Sequence, residues 1–188
     1  MNKIYETDDL IFVPFFNINL KNSNYYAWMH DQEVTRYNSH GLFPYTKKEE
    51  DEWRQAIIDN KIIAWAIVKK IGPKELAGHP VKRTEMIHIG NVSLQSFNWI
   101  NRSAEIAIVI GEKQYWGKGY ATKAFDIMIS HGFMKLNLHR IWSGTASINN
   151  GMIRVFEKVG MQYEGTFRDG TFLNGRYVDV VCYAAIQV

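Results

Sequence analysis

The feature that most constrains this chain is a strand, turn and helix between residues 104 and 136, AEIAIVIGEKQYWGKGYATKAFDIMISHGFMKL. Its apolar run, Ile106-Ala107-Ile108-Val109-Ile110, is rich in β-branched residues and too short to cross a bilayer, so it reads as a buried strand. A polar turn punctuated by Gly111, Gly117 and Gly119 follows. From Ala121 onward, Ala124, Phe125, Met128, Ile129, Gly132, Phe133 and Leu136 fall on one helical face, while Thr122, Lys123, Asp126, Ser130 and Lys135 fill the other. A strand feeding a glycine-rich turn at a helix N-terminus makes an anion site from main chain alone. Unpaired N–H groups and the positive end of the helix dipole face one point, and glycine lets a phosphate come close.

Spacing narrows the phosphate ligand. A Walker loop needs four residues between its first glycine and Gly-Lys-Ser/Thr; here five separate Gly111 from Gly117, and Gly119 follows Lys118, so no hydroxyl is placed for magnesium. The dinucleotide fingerprint fails as well, because Thr122 stands where its third glycine belongs. The competing structural reading is an ordinary strand–turn–helix whose glycines serve tight geometry.

The rest of the chain bounds the setting. Its 188 residues suit one domain, residues 1–188, able to bury a core without staples. No apolar run approaches the roughly 20 residues of a membrane span, and residues 1–9 lack the apolar core of a signal peptide. The single cysteine, Cys182, sits between Val180, Val181 and Tyr183 and reads as a packed strand residue, so a cytoplasmic location is the expectation. The net charge of +3 is modest and its basic residues are scattered, which argues against a nucleic-acid stripe. The six histidines show no metal-ligand spacing, so no metal is expected.

Taken in order, residues 10–16 read as a strand and 19–30 as a first helix with Tyr25, Tyr26, Trp28 and Met29 on its bulky side. Thr46-Lys47-Lys48-Glu49 has the form of a capping box and starts a second helix reaching about Asn60. These two helices either line a substrate entrance or merely cover a sheet edge. Residues 62–71 and 87–97 read as strands separated by a loop over 72–86, and 98–103 as the hairpin connection to the central strand. After the central helix come a strand over 139–146, a short helix over 149–159 ended by Gly160, and strands over 162–167 and 177–186. Arg168-Asp169-Gly170 and Asn174-Gly175 read as the turn elements between the last two. The early strands form an antiparallel meander, and the crossover helix lets the next strand run parallel. The fold class is therefore α+β, with a mixed central sheet.

Gln-x-x-Gly-x-Gly-Tyr-Ala, from Gln114 to Ala121, resembles the acyl-coenzyme A pyrophosphate loop of the GNAT N-acetyltransferase superfamily. A second block, Asn149 to Met161 (NNGMIRVFEKVGM), resembles that family's Asn-x-x-Ser-x-x-x-(Tyr)-Glu-Lys-x-Gly-Phe element and follows in the right order. The tail Tyr163-Glu164-Gly165 with Asn174 to Asp179, and the early segment Asp31 to Tyr37, resemble the ribosomal-protein alanine acetyltransferase branch (RimJ/RimL type). The resemblance covers nearly the whole chain. It implies a GNAT-like acyl-CoA N-acyltransferase fold of about seven strands with about four flanking helices, and acetyl-CoA as co-substrate. It implies that Val109 and Ile110 hold the pantetheine arm through main chain, in a gap between splayed strands. Gln114, Tyr115, Trp116, Gly117, Lys118, Gly119, Tyr120 and Ala121 would hold the pyrophosphate, and the Asn149 amide would meet the pantetheine near the reacting centre. Asn149 also reads as the N-cap of the short helix.

The chemistry requires a neutral amine, a polarised acetyl carbonyl and a departing thiolate. Glu105 is the charged residue at the start of the apolar strand, on the face of Ala107 and Val109 and about 20 Å from the Gly111 turn, comparable to an extended pantetheine arm. It is the candidate catalytic residue, drawing a proton from the amine or binding the ammonium; alternatively it marks the exposed start of the strand. Phe156 and Met152 stand where relatives carry tyrosine and serine, so the usual acids are missing, and Tyr183, Tyr163, Tyr177 or solvent are the substitutes. The leading expectation is transfer to a primary amine: a protein N-terminal alanine, an amino sugar, a polyamine or another small amine, by a monomer or homodimer. A non-catalytic acyl-CoA sensor and a nucleic-acid-binding domain are the other readings.

Overall fold

The computed structural model describes residues 3–15, 24–38, 42, 46–72 and 85–187. Among them are eight strands: β1 (Tyr5–Glu6), β2 (Leu10–Pro14), β3 (Ile63–Ile71), β4 (Glu85–Asn98), β5 (Ser103–Ile110), β6 (Arg140–Ala146), β7 (Gln162–Leu173) and β8 (Arg176–Ile186). Four helices accompany them: α1 (Tyr25–His30), α2 (Lys47–Ile58), α3 (Tyr120–Met134) and α4 (Asn150–Lys158). The strands form one sheet in the order β1-β2-β3-β4-β5-β6-β8-β7, antiparallel throughout except for the parallel pair β5–β6. The α+β class and mixed sheet expected from the sequence are what is found.

Alternation along the strands builds a core on each face. Leu10, Phe12, Trp65, Ile67, Leu94 and Ile106 pack with α3 and α4 through Phe125, Met128 and Phe156. Ile11, Val13, Ala64, Ala66 and Val68 pack on the other face with Tyr25, Trp28 and Met29 of α1 and with Trp53 and Ile57 of α2. α2 starts where its capping box predicts: Thr46 Oγ1 accepts from the Glu49 N–H, and the Glu49 carboxylate accepts from the Thr46 N–H at 2.6 Å.

Several boundaries differ from expectation. The first helix begins at Tyr25, and residues 19–23 of its expected range lie outside the described residues, as do residue 16 of the first expected strand and residues 73–84 of the expected 72–86 loop. β1 escaped the sequence because two residues carry no pattern; Tyr5 is held by its hydroxyl on His131 Nδ1 at 3.0 Å and by its ring against Trp65. Arg168-Asp169-Gly170 does not end β7. The strand passes it with a register shift, Asp169 taking φ 50°, and its N–H donates to Asp179 Oδ1 at 2.9 Å. The turn falls at Asn174-Gly175 alone, both at positive φ (50° and 82°) as a type I′ hairpin requires.

The feature that positions the site lies between β5 and β6. They pair only over Ser103–Glu105 with Arg140–Trp142, whereas β5 stays paired with β4 all the way to Ile110. Beyond Glu105 the parallel strands part.

Candidate active site

The direction of the main chain along β5 decides what faces the gap. The Gly111 N–H donates to Ile89 O at 2.9 Å, which makes Ile110–Gly90 a non-hydrogen-bonded pair and Val109–Asn91 a hydrogen-bonded one. Val109 therefore turns its N–H and C=O toward β4, and Ile106, Ile108 and Ile110 turn theirs toward the gap. This corrects the expectation for Val109, whose place on the gap passes to Ile108. Ile110 keeps its place, although its carbonyl already accepts the Trp116 indole N–H at 2.6 Å.

The turn after β5 delivers main chain to the same region. Residues 113–115 form a single 3₁₀ turn, and α3 begins at Tyr120 with Gly119 as an N-cap in the left-handed region (φ 82°) and no capping side chain. The first-turn N–H groups of a helix have no acceptor within it, so Ala121 and Thr122 present donors. Gly117 (φ 71°) is left-handed too, and a Cβ at Gly117 or Gly119 would meet nothing within 4 Å. Backbone conformation and open space together explain these two glycines: a bulky ligand approaches the main chain there unobstructed. Gly111 has a different reason, because a Cβ on it would overlap the indole ring of Trp28. The side chains of Tyr115 and Tyr120 pack edge to face at 5.9 Å beside the α3 core; the Tyr115 N–H donates to Glu112 O at 3.0 Å, whereas Tyr120 opens the uncapped first turn of α3. Gln114 and Lys118 are exposed, with Lys118 Nζ 5.4 Å from the Tyr115 ring.

On the opposite face, a cavity of about 580 Å³ opens against β5. Its floor is Asn91, Ser93 and Gln95 of β4 beside Ala107, Ile108 and Val109 of β5; its walls are Tyr25 and Met29 of α1, Asn38, and Glu49, Glu52 and Trp53 of α2. Positions 49, 52 and 53 share one face of α2, which brings two carboxylates to the rim. Glu105 sits at the last paired β5–β6 position, on the same sheet face as Ala107 and Val109. Gln95 Nε2 donates to its Oε2 at 3.2 Å, and Ser96 Oγ donates to the same oxygen at 3.1 Å. The bulge between Gln95 and Asn98, with Ser96 at φ 54°, aims that hydroxyl. Glu105 is half-buried, tethered on one oxygen, at the apex of the parting strands.

A family model for the acetyltransferase (GNAT) domain matches residues 10–162. The chain belongs to that family. Among relatives, the spermidine N(1)-acetyltransferase of Vibrio cholerae is 38% identical over 92 residues, 49% of this chain and 53% of that protein. A putative ribosomal N-acetyltransferase of Bacillus subtilis is 36% identical over 98 residues, 52% of this chain and 53% of that protein. The chain thus spans about half the length of these curated relatives. A crystal structure of the Vibrio cholerae spermidine N-acetyltransferase with CoA and spermine superposes with a TM-score of 0.75 at 25% identity, covering 96% of this chain and 97% of that one.

Within this GNAT domain, the second motif contributes less freely than its sequence suggested. Asn149 is the N-cap of α4: its Oδ1 accepts from the Met152 N–H at 3.2 Å and its Nδ2 donates to Thr145 Oγ1 at 3.0 Å, leaving one amide hydrogen. Phe156 is fully buried between Phe125 and Tyr183, with ring centroids 5.9 and 5.1 Å away. Of the three substitute acids, Tyr183 alone touches this position. The Tyr163 hydroxyl is 2.7 Å from Thr166 Oγ1, and Tyr177 packs edge to face on Phe172 out on the β7–β8 hairpin. Sequence reasoning missed the cavity floor. The signal was there in Asn91-Val92-Ser93-Leu94-Gln95, a strand whose polar positions alternate with core residues though helices cover both faces.

Proposed function

We propose that the chain transfers an acetyl group from acetyl-CoA directly to the primary amine of a small cationic acceptor, a polyamine or similar amine. The observation that carries this reading is the parting of β5 and β6 beyond Glu105, beside a left-handed Gly117/Gly119 turn that leads into an uncapped helix N-terminus. Acetyl-CoA supplies the activated acyl group. Main-chain amides from Gly117 to Ala121 hold its diphosphate, those of Tyr115 and Trp116 being spent within the 3₁₀ turn, and the main chain of Ile108 and Ile110 meets its pantetheine arm, with the remaining Asn149 amide hydrogen at the far side.

Glu105 takes the proton that the ammonium must lose before its nitrogen can attack, directly or through one water, and its tether to Gln95 and Ser96 keeps one oxygen oriented. Tyr183, whose ring packs on Phe156, is the candidate to protonate the departing thiolate. A cationic acceptor fits the carboxylates of Glu49 and Glu52 at the cavity rim, and it fits the spermidine acetyltransferases among the relatives.

A protein N-terminal acceptor is the second reading, favoured by the RimJ/RimL-type tail and by the ribosomal relative. Thiol release measured over spermidine, spermine, alkyl diamines, amino sugars and an Ala-initiated peptide separates the two. Turnover highest with polycationic amines is expected. Turnover with the peptide alone transfers the protein to the second reading, and none with any amine, despite saturable acetyl-CoA binding, leaves a sensor.

A further inference from the structure

The sheet register carries one row across the apex of the gap. Gln95 of β4 pairs with Glu105 of β5, and Glu105 pairs with Trp142 of β6, so all three project on one face and Glu105 stands between the other two. The β4 side of the carboxylate is filled. Gln95 and Ser96 both donate to Oε2, and among the described residues the other oxygen makes no hydrogen bond. On the β6 side, one strand away at about 4.8 Å, stands Trp142. It is half-buried, yet it joins none of the three hydrophobic clusters and makes no ring contact among the described residues. Its Nε1–H has no partner among them either and is open to solvent. A tryptophan that serves packing buries its ring and pairs its N–H. Trp142 does neither in full, so its place beside Glu105 has another reason.

We propose that Trp142 is a specificity-determining residue: its indole walls the β6 side of Glu105 and admits an amine borne on an unbranched methylene while refusing one borne on a branched carbon. This rests on the acetyl-transfer reading and narrows it. A nitrogen held by the second oxygen of Glu105 has Gln95 and Ser96 on one side, so the carbon that bears it lies toward the indole. Cβ atoms of neighbours on one sheet face stand about 5 Å apart, well within the reach of an aromatic side chain. A methylene slides along a flat ring, whereas a second substituent on that carbon has to displace either the ring or the nitrogen. Farther along the gap the bulk disappears: the next residues on this face are Ala107 of β5 and Gly144 of β6, which leave width for the thioester. The rest of the acceptor extends toward the cavity, which meets the row at Gln95. Each primary amine of a linear polyamine sits on a methylene, so the wall suits that acceptor and works against an alanine N-terminus or an amino sugar.

The test uses the full chain with acetyl-CoA and two matched pairs: butylamine against its isomer sec-butylamine, and 1,4-diaminobutane against 2,5-diaminohexane, whose amines both sit on branched carbons. The wild type should prefer the unbranched member of each pair by about tenfold or more in kcat/KM. Trp142→Ala should bring that preference to within about threefold, through a relative gain with the branched member, and Trp142→Phe should keep part of it. Each ratio is taken within one protein, so a loss of folded material cancels; should Trp142→Ala not fold, Trp142→Leu is read in the same way. Equal kcat/KM within the pairs for the wild type, or a preference that survives intact in the small variant, would overturn the proposal while leaving acetyl transfer standing. If no amine is turned over, the acetyl-transfer reading fails, and calorimetric titration of the CoA-loaded chain with the same pairs still decides. Equal affinities, or binding of neither member, reject the role of Trp142.

Discussion

Replacing Gly111 with alanine should push α1 away from the turn that precedes α3. A Cβ at this position would overlap Cγ, Cδ2 and Cε2 of the Trp28 ring, far inside the roughly 3.5 Å of van der Waals contact. Trp28 has little room to yield. It is 4% exposed, packs on His88, and donates its indole N–H to Glu112 at 3.1 Å. Overpacking of this kind costs about 1–3 kcal/mol, and losing a hydrogen bond to a carboxylate costs about 1.5–3 kcal/mol more. Together they approach about 4 kcal/mol against a typical total of about 5–15 kcal/mol, which for a chain of this length lowers Tm by about 10 °C. Circular dichroism melts measure this directly. Since Tyr25 and Met29 share α1 with Trp28, KM for the amine should rise more than the Kd of acetyl-CoA. The double variant Gly111→Ala, Trp28→Leu should recover part of the lost Tm, because the smaller side chain makes room for the methyl. A Gly111→Ala protein melting within 2 °C of the wild type would refute the packing argument (a threshold of about 0.5–1 kcal/mol).

Glu105→Gln should lower kcat/KM for the amine by about 10²–10³-fold with acetyl-CoA affinity unchanged, and a loss under about threefold would remove it as the base. Gly119→Ala should weaken acetyl-CoA binding by about tenfold in calorimetry, the left-handed backbone costing about 1–2 kcal/mol and the methyl occupying the approach; unaltered affinity would mean that no ligand uses that turn. Stability should fall as pH drops through about 6.5, the ordinary imidazole value. Burial holds His88 and His131 below it, so the unfolded chain takes up protons first and their contribution, complete above that pH, is lost on acidification. Urea titrations at pH 8 and 5.5 should show the loss, and His88→Gln should reduce it; an unchanged difference would place the titration elsewhere. Lys113→Ala should raise KM for the amine while changing the Kd of acetyl-CoA less than about threefold, because its charge is already paired within the protein.

The central strand, turn and helix were legible because each carries a local signature: a β-branched run, glycines at turn spacing, and a 3.6-residue apolar period. The Thr46–Glu49 capping box and the Asn174-Gly175 hairpin were legible for the same reason. What escaped depends on pairing between distant segments. Whether Val109 or Ile108 faces the gap turns on which β5 residues exchange hydrogen bonds with β4, and a lone strand sequence does not contain its partner's register. Gly111 looked like the other turn glycines, yet its constraint is the Trp28 ring, 83 residues away in the chain. The cavity drew its residues from α1, α2, β4 and β5, so no single window held its pattern, and the alternation of Asn91, Ser93 and Gln95 was a signal that went unread.

The links between α1 and the turn imply a division of electrostatic labour. Lys113 bridges Asp31 at 2.8 Å and Glu33 at 2.9 Å, and these carboxylates raise its pKa above the ordinary lysine value. Glu112 accepts from Asn24 Nδ2 at 2.7 Å and from the Trp28 indole, and the Arg36 guanidinium lies over Trp116 at 5.2 Å. Further along the same segment, Tyr37 packs on Ala146, Leu173 and Val178, on the far side of the parting strands. Residues 31–37 therefore cross from the β5 side of the gap to the β6 and β8 side, anchored at both ends. Lys113 and Glu112 serve this strap, so under the proposed acetyl-CoA reading the diphosphate falls to main-chain amides and to Lys118. Amide dipoles fixed by the fold need no reorganisation when an anion arrives, whereas a lysine already held by two carboxylates would have to break those pairs first. The strap thus acts through position: Asp31 and Glu33, paired with Lys113, hold the segment that follows α1 against the turn.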